Sequence, residues 1–320
     1  MKILVTGCAG FIGFHTSLKL IEKGYKIIGI DEINSYYDVN LKKRRLEILK
    51  KSKNFKFLKI NICNEKKLSK CFKKNKFKIV INLAAQAGVR YSVKSPEKYI
   101  NSNIIGFFNI LKLSAKFKIK HLLFASTSSV YGKSEKFPIK ENYTTNKPLS
   151  FYSATKASNE VMAHSYSYIY KLPSTCLRFF TVYGPYGRPD MALFKFTNAI
   201  LNNKKIDLFN FGNHVRDFTY IDDAVSMLIK LINKPPKEKV PYDIFNLSNS
   251  KPVALKSYLK EIEKNLGISA KLNKMPLQLG DVYKTHASNK KLEKKIGKIK
   301  STKLKEGIKN FIEWYKDYYI

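Results

Sequence analysis

Short apolar runs rich in β-branched residues recur along the chain, separated by longer segments of helical periodicity. Residues 2–6, 26–30, 55–60, 78–83, 119–125 and 174–179 read as strands. The alternation predicts an α/β fold built on a doubly wound parallel sheet. Ile244-Phe245-Asn246-Leu247 reads as a late strand returning to that sheet. Residues 98–117 and 152–171 read as long helices. The lysine-rich stretch 289–309 keeps apolar positions at helical spacing and is expected to be folded. The polar run Lys234–Lys239 reads as a surface loop.

The first strand runs into Gly7-Cys8-Ala9-Gly10-Phe11-Ile12-Gly13, and a helical segment follows. Glycines at this spacing let a backbone turn approach a pyrophosphate, which the helix N-terminus then binds through its N–H groups and dipole. The second strand ends in Asp31, 18 residues after Gly13. A carboxylate there accepts bonds from ribose hydroxyls and repels a 2′-phosphate, so NAD is expected rather than NADP. Residues 1–185 plus about 216–247 are therefore assigned to an NAD-binding Rossmann unit. Residues 186–215 plus 248–320 are assigned to a smaller lobe over the carboxyl edge of the sheet.

Two further motifs concern chemistry. Ser126-Thr127-Ser128-Ser129-Val130-Tyr131-Gly132 closes the apolar strand at His121–Ala125, which places hydroxyls at the ligand edge of the sheet. Tyr152 and Lys156 lie four residues apart and share a helix face. A phenol titrates near ~10, and a neighbouring ammonium favours its ionised form. Such a tyrosine can exchange a proton with a sugar hydroxyl. Alone the pair is weak evidence in a chain with 20 Tyr; its force comes from the two preceding motifs.

Composition narrows this picture little. The chain has 320 residues, 44% hydrophobic and 13% aromatic, as in a globular protein with a sizeable core. With the first strand at residue 2, no signal peptide is expected. No apolar run approaches the ~18 residues of a membrane span, so no membrane partner is expected. Cys8, Cys63, Cys71 and Cys176 show neither metal nor disulfide spacing, which favours the cytoplasm. The net charge of +36 is spread along the chain, and no nucleic-acid partner is expected. Its densest run, Lys42-Lys43-Arg44-Arg45, reads as a solvated helix face. A general positive field still speeds capture of an anionic ligand.

With these motifs in order, the chain resembles the extended short-chain dehydrogenase/reductase family of nucleotide-sugar enzymes. The resemblance spans nearly all of the chain. It includes Leu83-Ala84-Ala85-Gln86-Ala87-Gly88 and the run Arg216–Asp223. The long run Arg178–Ala192, ending Gly187-Arg188-Pro189-Asp190-Met191-Ala192, is most similar to the 4-epimerases of UDP-glucuronate. The resemblance implies inversion of carbon 4 through a transient 4-keto sugar, with tightly held NAD and a UDP-glucuronate substrate. It also implies a homodimer, because family counterparts of 98–117 and 152–171 pair as a four-helix bundle.

The same resemblance implies roles. Thr127, four residues before Tyr131, would hydrogen-bond the 4-oxygen, with Ser128 second in line. Tyr152 would be the proton carrier, and Lys156 would also bind the nicotinamide ribose. Gly7, Gly10, Phe11, Ile12, Gly13, Asp31, Asn61, Ile62, Leu83, Ala84, Ala85 and Phe179 would meet the cofactor, with Asn103 bracing that region. Arg90, Ser128, Ser129, Thr181, Arg188, Met191, Arg216 and Asp281 would meet the substrate. Arg188 could grip either the carboxylate or the diphosphate, since a planar fork suits both. Met191, Phe194 and the segment 280–282 could pack on uridine or lie in the core. Family dehydratases carry Asp-Glu after the catalytic hydroxyl, and decarboxylases a Glu at the second position. This chain has Ser128 and Ser129, which argues for stopping at epimerisation. Cys8, Asn61 and Tyr283 depart from the family pattern outside the catalytic set. Other nucleotide-sugar epimerases or decarboxylases, and a non-enzyme RNA-binding or scaffold use of the fold, are the rival readings.

Overall fold

The computed structural model describes residues 1–278 and 280–320. Its described strands are β1 (Lys2–Thr6), β2 (Lys26–Asp31), β3 (Phe55–Lys59), β4 (Ile79–Asn82), β5 (His121–Thr127), β6 (Ser174–Phe179), β7 (Thr181–Tyr183), β8 (Lys205–Phe209), β9 (Val215–Tyr220), β10 (Tyr242–Leu247), β11 (Pro252–Ala254) and β12 (Lys271–Met275). Seven of them form one sheet in the order β10-β6-β5-β4-β1-β2-β3, and every pairing in it is parallel. The doubly wound architecture read from the sequence is thus present, with the late strand β10 at one edge. Winding runs outward in both directions from β1 and β4, so a crevice opens at their carboxyl ends.

Alternation along β1 shows why the sheet is buried on both faces. Ile3 and Val5 join one core, with Phe14, Leu20 and Phe311. Leu4 joins the other, with Phe72, Phe107 and Phe124. Successive side chains point to opposite faces, so two helical layers are needed to cover one strand.

The smaller lobe is built on two minor sheets, β11-β9-β7 and β12-β8. One residue, Phe180, separates β6 in the central sheet from β7 in the minor one. Phe180 is buried, and its N–H donates to the Leu247 carbonyl at 3.1 Å. Buried Asp217 on β9 ties the lobe together by accepting N–H groups from Asn249 (3.0 Å), Ser250 (3.1 Å) and Ala287 (3.0 Å). The lysine-rich stretch contributes one helix, Lys290–Ile296, and the start of another, Leu304–Tyr319.

The segment 98–117 is not one regular helix. A π-helical turn at Ile100–Ile105 precedes the α-helix Gly106–Lys116. Within that wide turn the Asn103 amide accepts the Gln86 N–H at 2.8 Å and donates to the Gln86 carbonyl and to Thr155 Oγ1, both at 3.0 Å. Backbone widened in this way is common at functional sites. Here it clamps the loop after β4 to the helix Phe151–Tyr170.

That helix is also fixed from its other side. Arg178 on β6 pairs with Glu160 through Nε–Oε1 (2.9 Å) and Nη2–Oε2 (2.6 Å), and both side chains are buried. Arg178 also donates to the Tyr131 hydroxyl at 2.8 Å, and Ser126 donates to Glu160. Removing one partner of a buried pair leaves the other charge uncompensated. Arg178→Met is therefore expected to destabilise the fold by about 3–5 kcal/mol, and Arg178→Met with Glu160→Leu by less. Denaturant midpoints of the two variants test this; equal losses would show that the pair itself is not what matters.

Candidate active site

The loop between β1 and the helix α1 (Phe11–Glu22) packs against itself. Gly7 has φ +70°, and a Cβ there would lie 2.8 Å from the Ala84 nitrogen. A Cβ on Gly13 would overlap the Gly7 carbonyl. Gly10 caps α1 without any side-chain bond, so the N–H groups of the first turn remain for a ligand. Gly7, Gly10, Phe11, Ile12 and Gly13 line a cleft of about 380 Å³, together with Asp31, Asn61, Ile62, Leu83, Ala84, Ala85 and Phe179. Asp31 accepts N–H groups from Ala9 (3.1 Å) and Ile33 (2.8 Å). Burial pushes its carboxyl up, against those bonds and the Lys42 charge. The Asn61 amide oxygen already accepts the Cys63 N–H at 2.7 Å, which leaves one lone pair. A dinucleotide fits these residues: its pyrophosphate against the uncapped helix start, its ribose against Asp31.

Deeper in the same cleft lie Thr127, Ser128, Ser129, Tyr152, Lys156 and Thr181. Thr127 ends β5, and its Oγ1 accepts the Ser129 N–H at 3.2 Å as the chain turns. Ser150 caps the helix Phe151–Tyr170 by accepting the Ser153 N–H at 3.1 Å. Tyr152 and Lys156 then sit one turn apart, and Thr155 between them is bonded to Asn103. Burial drives the Tyr152 phenol up; the Arg188 charge and a hydrogen bond with Thr127 oppose this. Burial also lowers the Lys156 ammonium to about 8. Arg188 is thus a cation acting on the Tyr152 phenol, in addition to the Lys156 to which the i, i+4 spacing pointed. Lys156 is itself desolvated, whereas Arg188 stays charged beside Asp190.

Arg188 and Met191 line this cleft, as do Tyr36 and Tyr37. The Arg188 guanidinium pairs with Asp190 through Nε–Oδ1 (2.9 Å) and Nη2–Oδ2, and the Tyr36 hydroxyl donates to Asp190 Oδ2 at 3.1 Å. Arg90, Arg216 and Asp281 fall outside the lining, Arg90 beside the loop that follows β4 and the other two on the lobe. The Arg90 guanidinium stacks 4.6 Å above the Phe209 ring. Arg216 donates to Asp281 at 2.8 Å, and His214 Nε2 lies 3.4 Å from the same carboxylate. Burial and the Arg216 charge lower His214. Phe194 packs among Phe311, Trp314, Tyr315 and Tyr319 as part of the core.

The run Lys42–Arg45 departs from the solvated face expected of it. Lys43 and Arg44 are exposed, but Lys42 is 5% and Arg45 0% exposed. Both occupy the inner stripe of the helix α2 (Val39–Lys50), with Leu41, Leu46 and Leu49. Arg45 donates to the carbonyls of Ala9 (2.8 Å), Tyr186 (2.6 Å) and Gly187 (3.3 Å), and to the Tyr37 hydroxyl (2.8 Å). It therefore joins the glycine loop to the backbone just before Arg188. The available signal was its spacing of four from Leu41 and Leu49; the run of charge masked it.

Lysine is too short and has the wrong geometry to serve all these acceptors. Arg45→Lys should therefore weaken NAD binding by roughly tenfold, the scale of one lost charge-assisted bond. Titration calorimetry reads this directly. Wild-type affinity in that variant would reduce Arg45 to a packing role.

Residues 3–248 match the NAD dependent epimerase/dehydratase family. The chain is 49% identical to Protein CapI of Staphylococcus aureus, over 100% of this chain and 99% of that protein. It is 43% identical to a probable UDP-glucuronate 4-epimerase of Rhizobium meliloti, over 100% of this chain and 98% of that one. The crystal structure of UDP-glucuronic acid 4-epimerase from Bacillus cereus, in complex with UDP-glucuronic acid and NAD, matches with a TM-score of 0.94 at 32% identity, each chain covered 100%. A matched family spanning most of the chain, on a sheet with this crevice and glycine loop, places the protein in the NAD dependent epimerase/dehydratase family.

Proposed function

We propose that the protein is an NAD-dependent 4-epimerase interconverting UDP-glucuronate and UDP-galacturonate. The observation that carries this reading is Arg188, whose charge reaches the Tyr152 phenol in a cleft that also presents the neutral hydroxyls of Thr127, Ser128, Ser129 and Thr181. The relatives and the solved structure described above bear names and ligands of the same kind.

NAD supplies a reversible hydride acceptor at the sugar's carbon 4. Tyr152, as phenolate, takes the proton of the 4-hydroxyl and later returns it. Thr127 hydrogen-bonds the 4-oxygen and steadies the phenolate. Lys156 binds the nicotinamide ribose. The oxidised sugar is a β-keto acid and loses carbon dioxide readily when its carboxylate can align with the ketone. Ser128, Ser129 and Thr181 offer neutral donors that hold the carboxylate out of that alignment, and Arg188 offsets its charge. No side-chain carboxylate follows Thr127 to drive further steps.

Arg90 and Arg216 are assigned to the diphosphate, Asp281 to holding Arg216 in place, and Met191 to uridine packing. Residues 1–185 with 216–247 are assigned to NAD and the remainder to the sugar nucleotide. Strand β9 bridges these two assignments, since it pairs with β7 on one side and with β11 on the other. A homodimer is supported by an apolar face on two adjacent helices. Val161, Tyr168 and Ile169 are exposed on one; Ile105 and Phe108 are exposed beside it. Light scattering after Val161→Glu with Ile169→Glu is expected to show a monomer, and a persistent dimer would move the interface elsewhere. No described helix is long and apolar enough to cross a membrane. A cytoplasmic location is supported by the four free cysteines.

Proton NMR of the protein with UDP-glucuronate and catalytic NAD tests the reaction. UDP-galacturonate without carbon dioxide is the expected product; UDP-xylose would mean that the carboxylate is unprotected. Tyr152→Phe should retain NAD and lose turnover by about 10²–10⁴-fold. Near-normal turnover would remove Tyr152 from proton transfer.

A further inference from the structure

The Arg188 guanidinium carries five N–H donors in a fixed plane. Asp190 occupies the side of that plane formed by Nε and Nη2. The edge formed by Nη1 and the second Nη2 hydrogen is a separate fork, and it can take a second planar anion in the same plane. Arg188 lines the cleft, whereas Asp190 does not. The carboxylate is itself held by the Tyr36 hydroxyl at 3.1 Å. The backbone of this loop is also fixed: Arg45 grips the Tyr186 and Gly187 carbonyls, and the Met191 N–H donates to the Arg188 carbonyl at 3.1 Å. Only the Arg188 side chain has freedom to swing, and Asp190 removes it.

We infer that Asp190 is a positioning residue for sugar-acid recognition: it fills one fork of Arg188 and aims the other at the substrate carboxylate. The inference rests on the reading of Arg188 given under the proposed function. It gives the second acid of the Arg188-Pro189-Asp190 run a task distinct from catalysis. A neutral hexose makes no use of that edge, so Asp190 contributes to discrimination between sugars and not to nucleotide binding. The ion pair also leaves Arg188 and Asp190 neutral together, so a neutral sugar meets no isolated buried cation, while an anionic sugar meets an oriented one.

The test is titration calorimetry of NAD-loaded protein with UDP-glucuronate, UDP-glucose and UDP. Asp190→Asn turns an amide N–H₂ toward the guanidinium and releases the fork. The dissociation constant of UDP-glucuronate should rise by roughly tenfold, the scale of one charge-assisted hydrogen bond. Those of UDP-glucose and UDP should stay within about twofold. Asp190→Glu, which keeps the charge, should restore part of the difference. In an Arg188→Ala background, Asp190→Asn should add nothing. Equal weakening of all three ligands would make Asp190 a brace for the loop. Tighter UDP-glucuronate binding would make it a competitor of the substrate. Either result, or unchanged UDP-glucuronate binding, overturns the inference. Failure of the underlying reading is visible separately: wild-type protein would then bind UDP-glucuronate no better than UDP-glucose before any variant is made.

Discussion

A buried guanidinium without an ion pair holds the cleft together. Among the described residues Arg45 makes no salt bridge; its Nη1 and Nη2 groups donate to three carbonyls and a phenol from three chain segments, while its buried Nε finds no partner. Desolvating such a charge is costly unless its donors are met in the right geometry. The acceptors are therefore constrained as strongly as the donor. Ala9 belongs to the glycine loop, Tyr37 to the loop after β2, and Tyr186 and Gly187 to the approach to Arg188. Displacing any one of these segments exposes a fault in the other two. Cofactor wall and sugar wall thereby share one fixed point, although they come from chain segments more than a hundred residues apart.

The electrostatics of the cleft are economical. A chain of net charge +36 places few free cations in its reacting end. Lys156 is desolvated to about 8, and Arg188 is matched by Asp190. Glu160, one turn beyond Lys156, is matched by Arg178. The surplus charge lies on the surface, where it draws anions inward without fixing their orientation. Orientation comes from a small number of charges, Arg188 and Arg178 among them, held by Asp190 and Glu160.

What could be read from the sequence was what local spacing dictates. The strand–glycine–helix unit, Asp31 and the Tyr152/Lys156 pair are encoded within short windows, and each needs only its own element to form. The strand pattern was legible because each apolar run must be covered on both faces. Arg45 was not, since a buried cation within a charged run looks like its exposed neighbours until tertiary acceptors are known. The influence of Arg188 on Tyr152 was not legible for a related reason: it arrives from a loop 36 residues further on, and its effect depends on folding rather than on helical period. The π-turn around Asn103 has no clear mark in sequence, because it is imposed by the partners of its amide.

Phe180 sets a mechanical limit on the enzyme. A single buried residue joins the cofactor-side strand to the lobe strand, and its N–H is bonded to β10. Phe179 and Thr181, which face the cleft from either side of it, are therefore held at nearly constant separation. The lobe has no length of chain here with which to swing away. The oxidised sugar must reverse its face inside a chamber of fixed width. Stereochemical inversion is then a tumbling problem for the ligand alone, and the size of the sugar that can be inverted is set by the chamber and not by the reach of a moving domain.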